Sequence, residues 1–188
     1  GILPSVFLTA VDDRIRSYRH AVPRDGVLQR FGMLNFCARR WGLTVSITRF
    51  VYFGPMEREL EDKFDVVAQV NAKLLVATQK GRTADELFAT ARDAYAAAGC
   101  AGQETMHHQG GATGYMEREW VARPGGAEVC GRTQAFAWNP SFDGAKVEDT
   151  VLLRNGSVEV LTATPDLPVI ETPVNGTSYS SAGVLRMD

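Results

Sequence analysis

The chain has 188 residues, a mass of 20.5 kDa and a formal net charge of −2, with 45% hydrophobic and 22% charged residues. These values are ordinary for a soluble globular protein and allow one domain with a substantial core. Positive and negative residues are mixed along the chain, so there is no basic stripe to neutralise a nucleic-acid backbone. We therefore expect a small-molecule or short-peptide partner and no nucleic acid.

Cysteine usage and hydropathy bear on the compartment. Cys37, Cys100 and Cys130 are widely spaced and form no C-x-x-C pair. This pattern argues against a disulfide framework or a zinc knuckle and favours a reducing compartment. No apolar run approaches the roughly 18 residues of a membrane span, and no signal-like segment precedes the first strand. The sequence predicts a cytoplasmic protein that has no membrane contact.

The first half of the chain is predicted to begin with a strand over residues 4–11, followed by a charged loop. Residues 31–54 are rich in β-branched and aromatic side chains and predict a β-hairpin. A helix is predicted from Pro55 to Lys80, with its apolar residues on one stripe.

A second helix is predicted over residues 83–99. Thr83 is its expected N-cap, Glu86 is the capping-box partner and Gly99 is the stop signal. The rest of the chain is predicted to be strands, and 163–188 an irregular tail of a single domain spanning 1–188. The predicted strands cover residues 107–115, 133–138, 144–154 and 157–162.

The register of the hairpin determines which side chains share a face. A turn centred between Arg40 and Trp41 would pair Asn35 with Ser46, because side chains alternate along paired strands. The same register pairs Met33 with Thr48 and Cys37 with Thr44. One face is predicted to join the core, and the opposite polar face to form the floor of a pocket. The expected core face is Leu34, Phe36, Leu43, Val45 and Ile47, and the polar face is Asn35, Cys37, Thr44, Ser46 and Thr48.

Residues 106–120 combine two adjacent histidines, a glycine-rich run and two carboxylates. His107 and His108 alternate on a predicted strand, so one is expected to be buried and the other to face a cavity. Glu117 and Glu119 share a strand face and either form an acid and base pair or bind nearby arginines. Cys37, on the polar face, is either a nucleophile or a small buried hydrophobe.

Several segments resemble the pita-bread superfamily of aminopeptidase P, prolidase, methionine aminopeptidase and creatinase. The resemblance covers about residues 6–162 and implies an α/β (α+β) fold with a curved antiparallel sheet, flanking helices and an active site in the concavity. It also implies a homodimer, and the chain is similar to the carboxy-terminal portion of such proteins, without the helices that usually precede the first strand. The similar segments are 33–54, 80–99, 107–119, 135–140 and 144–162.

Metallopeptidases of this superfamily bind two divalent ions through two aspartates, a histidine and two glutamates. The resemblance places these ligands on the positions of Asn35, Ser46, Gly111, Asn139 and Glu148. Only Glu148 keeps an anionic donor, and two dications need several anionic or imidazole donors. No metal and no other cofactor is therefore predicted, and the two histidines flank the ligand position without occupying it.

Creatinase cleaves a carbon–nitrogen bond without metal, and this chain is similar to it at Leu34 and Asn35. Its catalytic histidine lies in the loop before the hairpin, which implies that His20 is a general base here. Glu148 would orient the imidazole or bind a substrate cation. Arg118 stands where creatinase has a histidine, and its guanidinium suits a carboxylate, so creatine itself is not the expected substrate.

The predicted function is a metal-independent hydrolase or lyase that acts on an amide-like carbon–nitrogen bond of a small carboxylate-bearing molecule. One alternative is a metallopeptidase of the Xaa-Pro aminopeptidase type. The other is a catalytically silent pita-bread module that binds a peptide or protein partner. The predicted catalytic residues are His20 and Glu148, and the predicted substrate-binding residues are Asn35, Ser46, His107, His108, Arg118, Glu119 and Asn139.

Overall fold

The computed structural model describes every residue from Gly1 to Asp188 and contains two main sheets and two long helices. None of the helices combines the length and apolar character that crossing a bilayer requires. The elements in chain order are β1 (Leu3–Val11), α1 (Asp13–Ser17), β2 (Phe31–Arg40), β3 (Leu43–Phe53), α2 (Arg58–Ala77), α3 (Ala84–Ala97), a 3₁₀ turn (Gln103–Thr105), β4 (Gly110–Thr113), β5 (Trp120–Val121), β6 (Thr133–Trp138), β7 (Ser141–Phe142), β8 (Ala145–Lys146), β9 (Asp149–Arg154), β10 (Ser157–Val160), β11 (Val169–Val174), β12 (Thr177–Ala182) and β13 (Val184–Met187).

The first sheet has the order β1-β2-β3-β13, and β13 runs parallel to β3. The prediction of an irregular tail is therefore wrong, because the last residues form a hairpin and an edge strand. The β11–β12 hairpin turns at Asn175 and Gly176, which have φ of 51° and 80°. Asn-Gly with two positive φ values is typical of a two-residue hairpin turn. The flanking strands are short and largely exposed, so they lack the alternation that identifies a strand.

The hairpin of β2 and β3 turns one residue later than predicted. Trp41 and Gly42 form the loop, with φ of 53° and 85°. Asn35 consequently pairs with Thr48, and the predicted pairing with Ser46 is wrong. Because each partner moves by two positions, the side chains keep their faces.

The two faces of this hairpin have the opposite burial from that predicted. The expected core face is outward: Leu34 is 38% and Leu43 is 57% exposed. The polar face is buried, because the second sheet packs against it. Thr48 forms a backbone bridge with Glu148, and Ser46 N–H donates to Thr150 Oγ1.

The second sheet has the order β10-β9-β6-β4-β5 and is antiparallel throughout. Helices α2 and α3 pack against it around buried aromatic residues such as Trp138 and Phe136. The capping box of Thr83 and Glu86 is confirmed, and Gly99, with φ of 74°, follows the end of α3. Helix α2 begins at Arg58 and not at Pro55 as predicted, since its N-cap residue Glu57 has an extended backbone.

Candidate functional site

Glu148 lies between β8 and β9, where the two sheets meet, and is 2% exposed. Asn35 Nδ2 and Thr48 Oγ1 both donate to its Oε2 atom, the latter at 2.6 Å. The polar face of the first hairpin therefore binds the carboxylate that the resemblance places at a metal-ligand position.

A buried lysine and a largely buried arginine contact the same carboxylate. Arg118 Nη2 lies 3.1 Å from Oε1 of Glu148, and Lys146 Nζ lies 3.3 Å from Oε2. Arg118 Nη1 also donates to Ser46 Oγ at 3.2 Å. Burial raises the pKa of Glu148, but the charges of Lys146 and Arg118 and the Thr48 hydrogen bond outweigh it and lower the pKa to about 2. The cluster thus holds two positive charges against one negative charge.

Three histidines form a second cluster. His20 lies in the loop after α1, and His107 and His108 lie just before β4. The ring centroids are 4.5 Å apart for His20 and His107, and 4.3 Å apart for His107 and His108. The prediction that His107 and His108 alternate on a strand is wrong, because β4 begins at Gly110 and the two rings stack in the bend before it.

Hydrogen bonds determine the tautomers of two of these rings. His107 Nδ1 lies 2.7 Å from the carbonyl oxygen of His108, so this nitrogen carries the proton. Nε2 of His107 is then an acceptor, and it lies 3.1 Å from Nε2 of His20. His20 therefore donates from Nε2, which leaves a lone pair on its Nδ1. Nδ1 of His20 is therefore the nitrogen that can accept a proton.

The histidines are neutral at pH 7. Partial burial and the charge of Lys146 lower the pKa of His20. Burial, followed by the same lysine charge, lowers the pKa of His107 to about 2. Burial and the charge of Arg118 lower the pKa of His108 to about 4. The cations of the Glu148 cluster therefore lower the pKa values of the histidines in the second cluster.

Four buried polar atoms in or beside these clusters lack a partner. They are Oδ1 of Asn139, which is 2% exposed, Nδ1 of His108, Nε of Arg118 and Oε1 of Gln109. The backbone N–H of Asn139 donates to the carbonyl of Gln109, the residue after His108. Since buried polar atoms are usually hydrogen-bonded, these atoms are available to a ligand.

Two predicted candidates lie outside the clusters. Glu119 is exposed, and its carboxylate accepts hydrogen bonds from the backbone N–H groups of Tyr115 and Met116. It stabilises a loop, because the chain turns between β4 and β5 instead of continuing as a strand. The nearby Ser5 side chain lowers the pKa of Glu117. Because Glu119 is bound to backbone N–H groups instead, the suggested acid and base pair is not formed.

Cys37 is buried, and its thiol lies 3.1 Å from Ser46 Oγ. Burial raises its pKa, which disfavours the thiolate that a nucleophile needs. Of the two roles predicted for Cys37, the structure favours that of a small buried hydrophobic residue over that of a nucleophile.

Lys146 was missed by the sequence analysis, although a signal was present. Lys146 and Glu148 stand two positions apart in a predicted strand, so their side chains share a face. Thr48 was placed on the polar face, but its direct hydrogen bond to Glu148 depends on the true register.

The donor set does not fit the two-metal centre of the superfamily. Both oxygens of Glu148 are already paired with cations. Gly111 has no room for a side chain, since a Cβ there would lie 2.0 Å from the carbonyl oxygen of Trp120. Asn35 and Ser46 provide only neutral oxygens or an amide, which two dications do not favour.

Comparison with known proteins agrees with this architecture. Residues 12–155 match the model of metallopeptidase family M24. Prolidase from Pyrococcus furiosus is 22% identical with a TM-score of 0.77, covering 86% of this chain and 50% of that chain. X-Pro aminopeptidase from Thermotoga maritima is 18% identical with a TM-score of 0.75, covering 96% and 49%.

The N-terminal domain of the FACT complex subunit SPT16 from Cicer arietinum is also similar, at 11% identity and a TM-score of 0.67, covering 86% of this chain and 43% of that chain. At these identities the likeness shows the pita-bread fold alone. The chain spans about half the length of these solved structures. No curated protein sequence matches it.

Proposed function

The chain belongs to metallopeptidase family M24, and on this premise we propose that it carries the active site of a metal-independent hydrolase. The proposed reaction cleaves an amide-like carbon–nitrogen bond in a small carboxylate-bearing substrate, with His20 as general base. The observation that carries the proposal is the hydrogen-bonded pair of His20 and His107, which gives His20 a free Nδ1 lone pair.

The pair resembles the part of a catalytic triad in which a second group holds the base in one tautomer. Here a neutral imidazole, fixed by a backbone carbonyl, takes the place of the usual carboxylate. His20 has a lowered pKa, so it is unprotonated at neutral pH. The ring is also exposed, which makes it accessible to water and substrate.

The charges beside the histidines favour an anionic substrate. Arg118 and Lys146 together exceed the charge of Glu148, so a substrate carboxylate would balance the site. Arg118 presents a planar donor set that suits such a group.

In the proposed reaction, Nδ1 of His20 takes a proton from a water molecule as the water oxygen bonds to the carbonyl carbon. The resulting oxyanion is stabilised by the ammonium group of Lys146. The carbon–nitrogen bond then breaks, and the imidazolium returns its proton to the leaving nitrogen. Glu148 holds Lys146 and Arg118 in place through its two oxygens.

The experiment measures hydrolysis of N-acyl amino acids and dipeptides, including Xaa-Pro, by chelator-treated protein. His20→Ala is expected to lower kcat by about 10²- to 10⁴-fold while substrate affinity changes little, because a general base contributes that much. Arg24→Ala is the matched control, since Arg24 is exposed in the same loop. Activity that a chelator abolishes and manganese restores would instead identify a metallopeptidase.

The second candidate function is a silent module that binds a peptide or protein partner. The observation that favours it is the likeness to the N-terminal domain of SPT16. A silent module predicts no turnover with any of these substrates. It also predicts that His20→Ala leaves peptide binding unchanged.

A further inference from the structure

The three histidines of the cluster are the only histidines in the chain. One ring nitrogen of each lies within 4.8 Å of the others. These residues come from two separate segments, the loop after α1 and the bend before β4, so the fold brings them together. Imidazole nitrogens in such an arrangement are the preferred donors for zinc, copper and nickel.

The ring of His107 is oriented as a metal ligand usually is. Its Nδ1–H donates to the carbonyl oxygen of His108, which leaves the Nε2 lone pair directed at His20. Histidines that bind metals almost always donate their other ring N–H to such an acceptor. His108 has a buried Nδ1 without a partner, and this atom is a second, independent sign that the cluster is incomplete.

One of the three nitrogen–nitrogen distances is close to that expected around a tetrahedral ion. Zinc–nitrogen bonds of about 2.0–2.1 Å place two ligand nitrogens about 3.3 Å apart. Nε2 of His20 and Nε2 of His107 are 3.1 Å apart. His20 is exposed in a loop, so its ring has the freedom to complete the contact with the third nitrogen.

We propose that His20, His107 and His108 form a mononuclear site for a zinc-type transition-metal ion, separate from the ligand positions of the two-metal centre. The ion bonds to Nε2 of His20, and the proton of that nitrogen moves to Nδ1. His20 then has no lone pair left for catalysis. The ion is therefore an inhibitor, and this second part rests on the proposed function.

The type of ligand atom makes the site selective. Lys146 and Arg118 outnumber the carboxylate of Glu148, and no carboxylate belongs to the histidine cluster. Magnesium, calcium and manganese prefer oxygen ligands and gain little from three imidazoles. Next to this positive charge, a bound zinc ion would take an anion such as chloride or hydroxide as its fourth ligand.

The binding experiment titrates the tag-free full chain with cobalt(II) and with zinc at pH 7.5, using cobalt absorbance and calorimetry. We expect one ion for each chain and no binding of magnesium. His20→Ala and His107→Ala are each expected to weaken binding at least about tenfold, as loss of a ligand or its support does. Cys100→Ser is the control, because a partly exposed thiol is the competing ligand.

Failure to bind cobalt or zinc below roughly 100 μM, a free energy of about −5.5 kcal/mol, would overturn the site. Unchanged metal binding by the His20→Ala variant would overturn it as well. Because His20 is exposed, this variant stays informative even if His107→Ala does not fold. If the protein hydrolyses a substrate, zinc should inhibit it and a chelator should reverse the effect. Zinc that binds and stimulates turnover would overturn the inhibitory role. The binding titration needs no substrate. It therefore tests the metal site even if the protein shows no hydrolase activity.

Discussion

At the scale of single residues, Glu148 organises the site. Its two oxygens bind Arg118, Lys146, Thr48 and Asn35, which come from three separate parts of the chain. Taking charged groups out of water is costly unless each finds a partner, and here each does. The carboxylate therefore explains why two cations remain buried beside the histidines.

Glu148→Gln should destabilise the protein strongly, because Arg118 and Lys146 would lose their counter-charge within a buried site. Removing one partner of a buried ion pair costs about 3–5 kcal/mol. Urea unfolding at pH 7 measures the change in the free energy of unfolding. Adding Lys146→Met should recover part of the loss, and a change below about 1 kcal/mol for Glu148→Gln would contradict the proposed organising role.

At the scale of elements, close approach of strands β4, β5 and β6 depends on two adjacent glycines. A Cβ at Gly110 would lie 2.2 Å from the carbonyl oxygen of Ala137, and one at Gly111 would lie 2.0 Å from that of Trp120. Real Cβ atoms do not approach backbone atoms so closely, so any side chain would push the strands apart. These glycines serve sheet packing, and the histidines before them depend on that packing for their position.

Gly111→Ala should lower the free energy of unfolding by about 1–3 kcal/mol or more, as overpacking of a filled core does. It should also disturb the histidine cluster, which NMR of the imidazole rings would detect. Gly131→Ala is the matched control, because its nearest neighbour to a new Cβ is the end of a side chain at 3.5 Å. Equal stability of the two variants would show that β4 tolerates a wider spacing.

At the scale of the whole molecule, stability should depend on pH through groups that are buried uncharged or paired. His107 and His108 have pKa values lowered to about 2 and about 4 in the folded chain, below their ordinary value of 6.5. The unfolded chain therefore binds more protons below pH 6.5, and stability falls as the pH falls. Glu148, whose pKa is lowered from 4.5 to about 2, adds a further loss below pH 4.5.

We expect the free energy of unfolding to decrease between pH 6.5 and pH 4.5 by up to about 1.4 kcal/mol for each pH unit and each neutral histidine. Chemical denaturation across this range measures the slope. His107→Gln removes one titrating ring and should reduce the slope, even where it lowers stability at pH 7. A stability that is constant from pH 7 to pH 5 would mean that the rings accept protons in the folded state.

The homodimer and the cytoplasmic location implied by the sequence stay predictions. Light scattering of the purified protein would test the first of them.

The outward apolar face of the β2–β3 hairpin, with Leu34 and Leu43 exposed, is the face that sequence reasoning assigned to the core. Alternation identified which side chains belong together, but it did not say which set faces inward.

The sequence by itself determined the family, the fold class and the two long helices. These features depend on local signals, such as the capping box at Thr83, and on residue types at positions similar to those of the superfamily. Each of these signals lies within one segment, so it can be read from the sequence without knowing the contacts between distant segments.

Only the tertiary structure decided the register of the hairpin, the direction of its polar face and the contacts of Glu148. It also joined Lys146 to the carboxylate and His20 to His107, which are separated by 87 positions. The physical reason is that burial and pKa depend on what packs against a side chain from other segments. The polar face is inward because a charged network beside the second sheet satisfies it, and that network has no local signature.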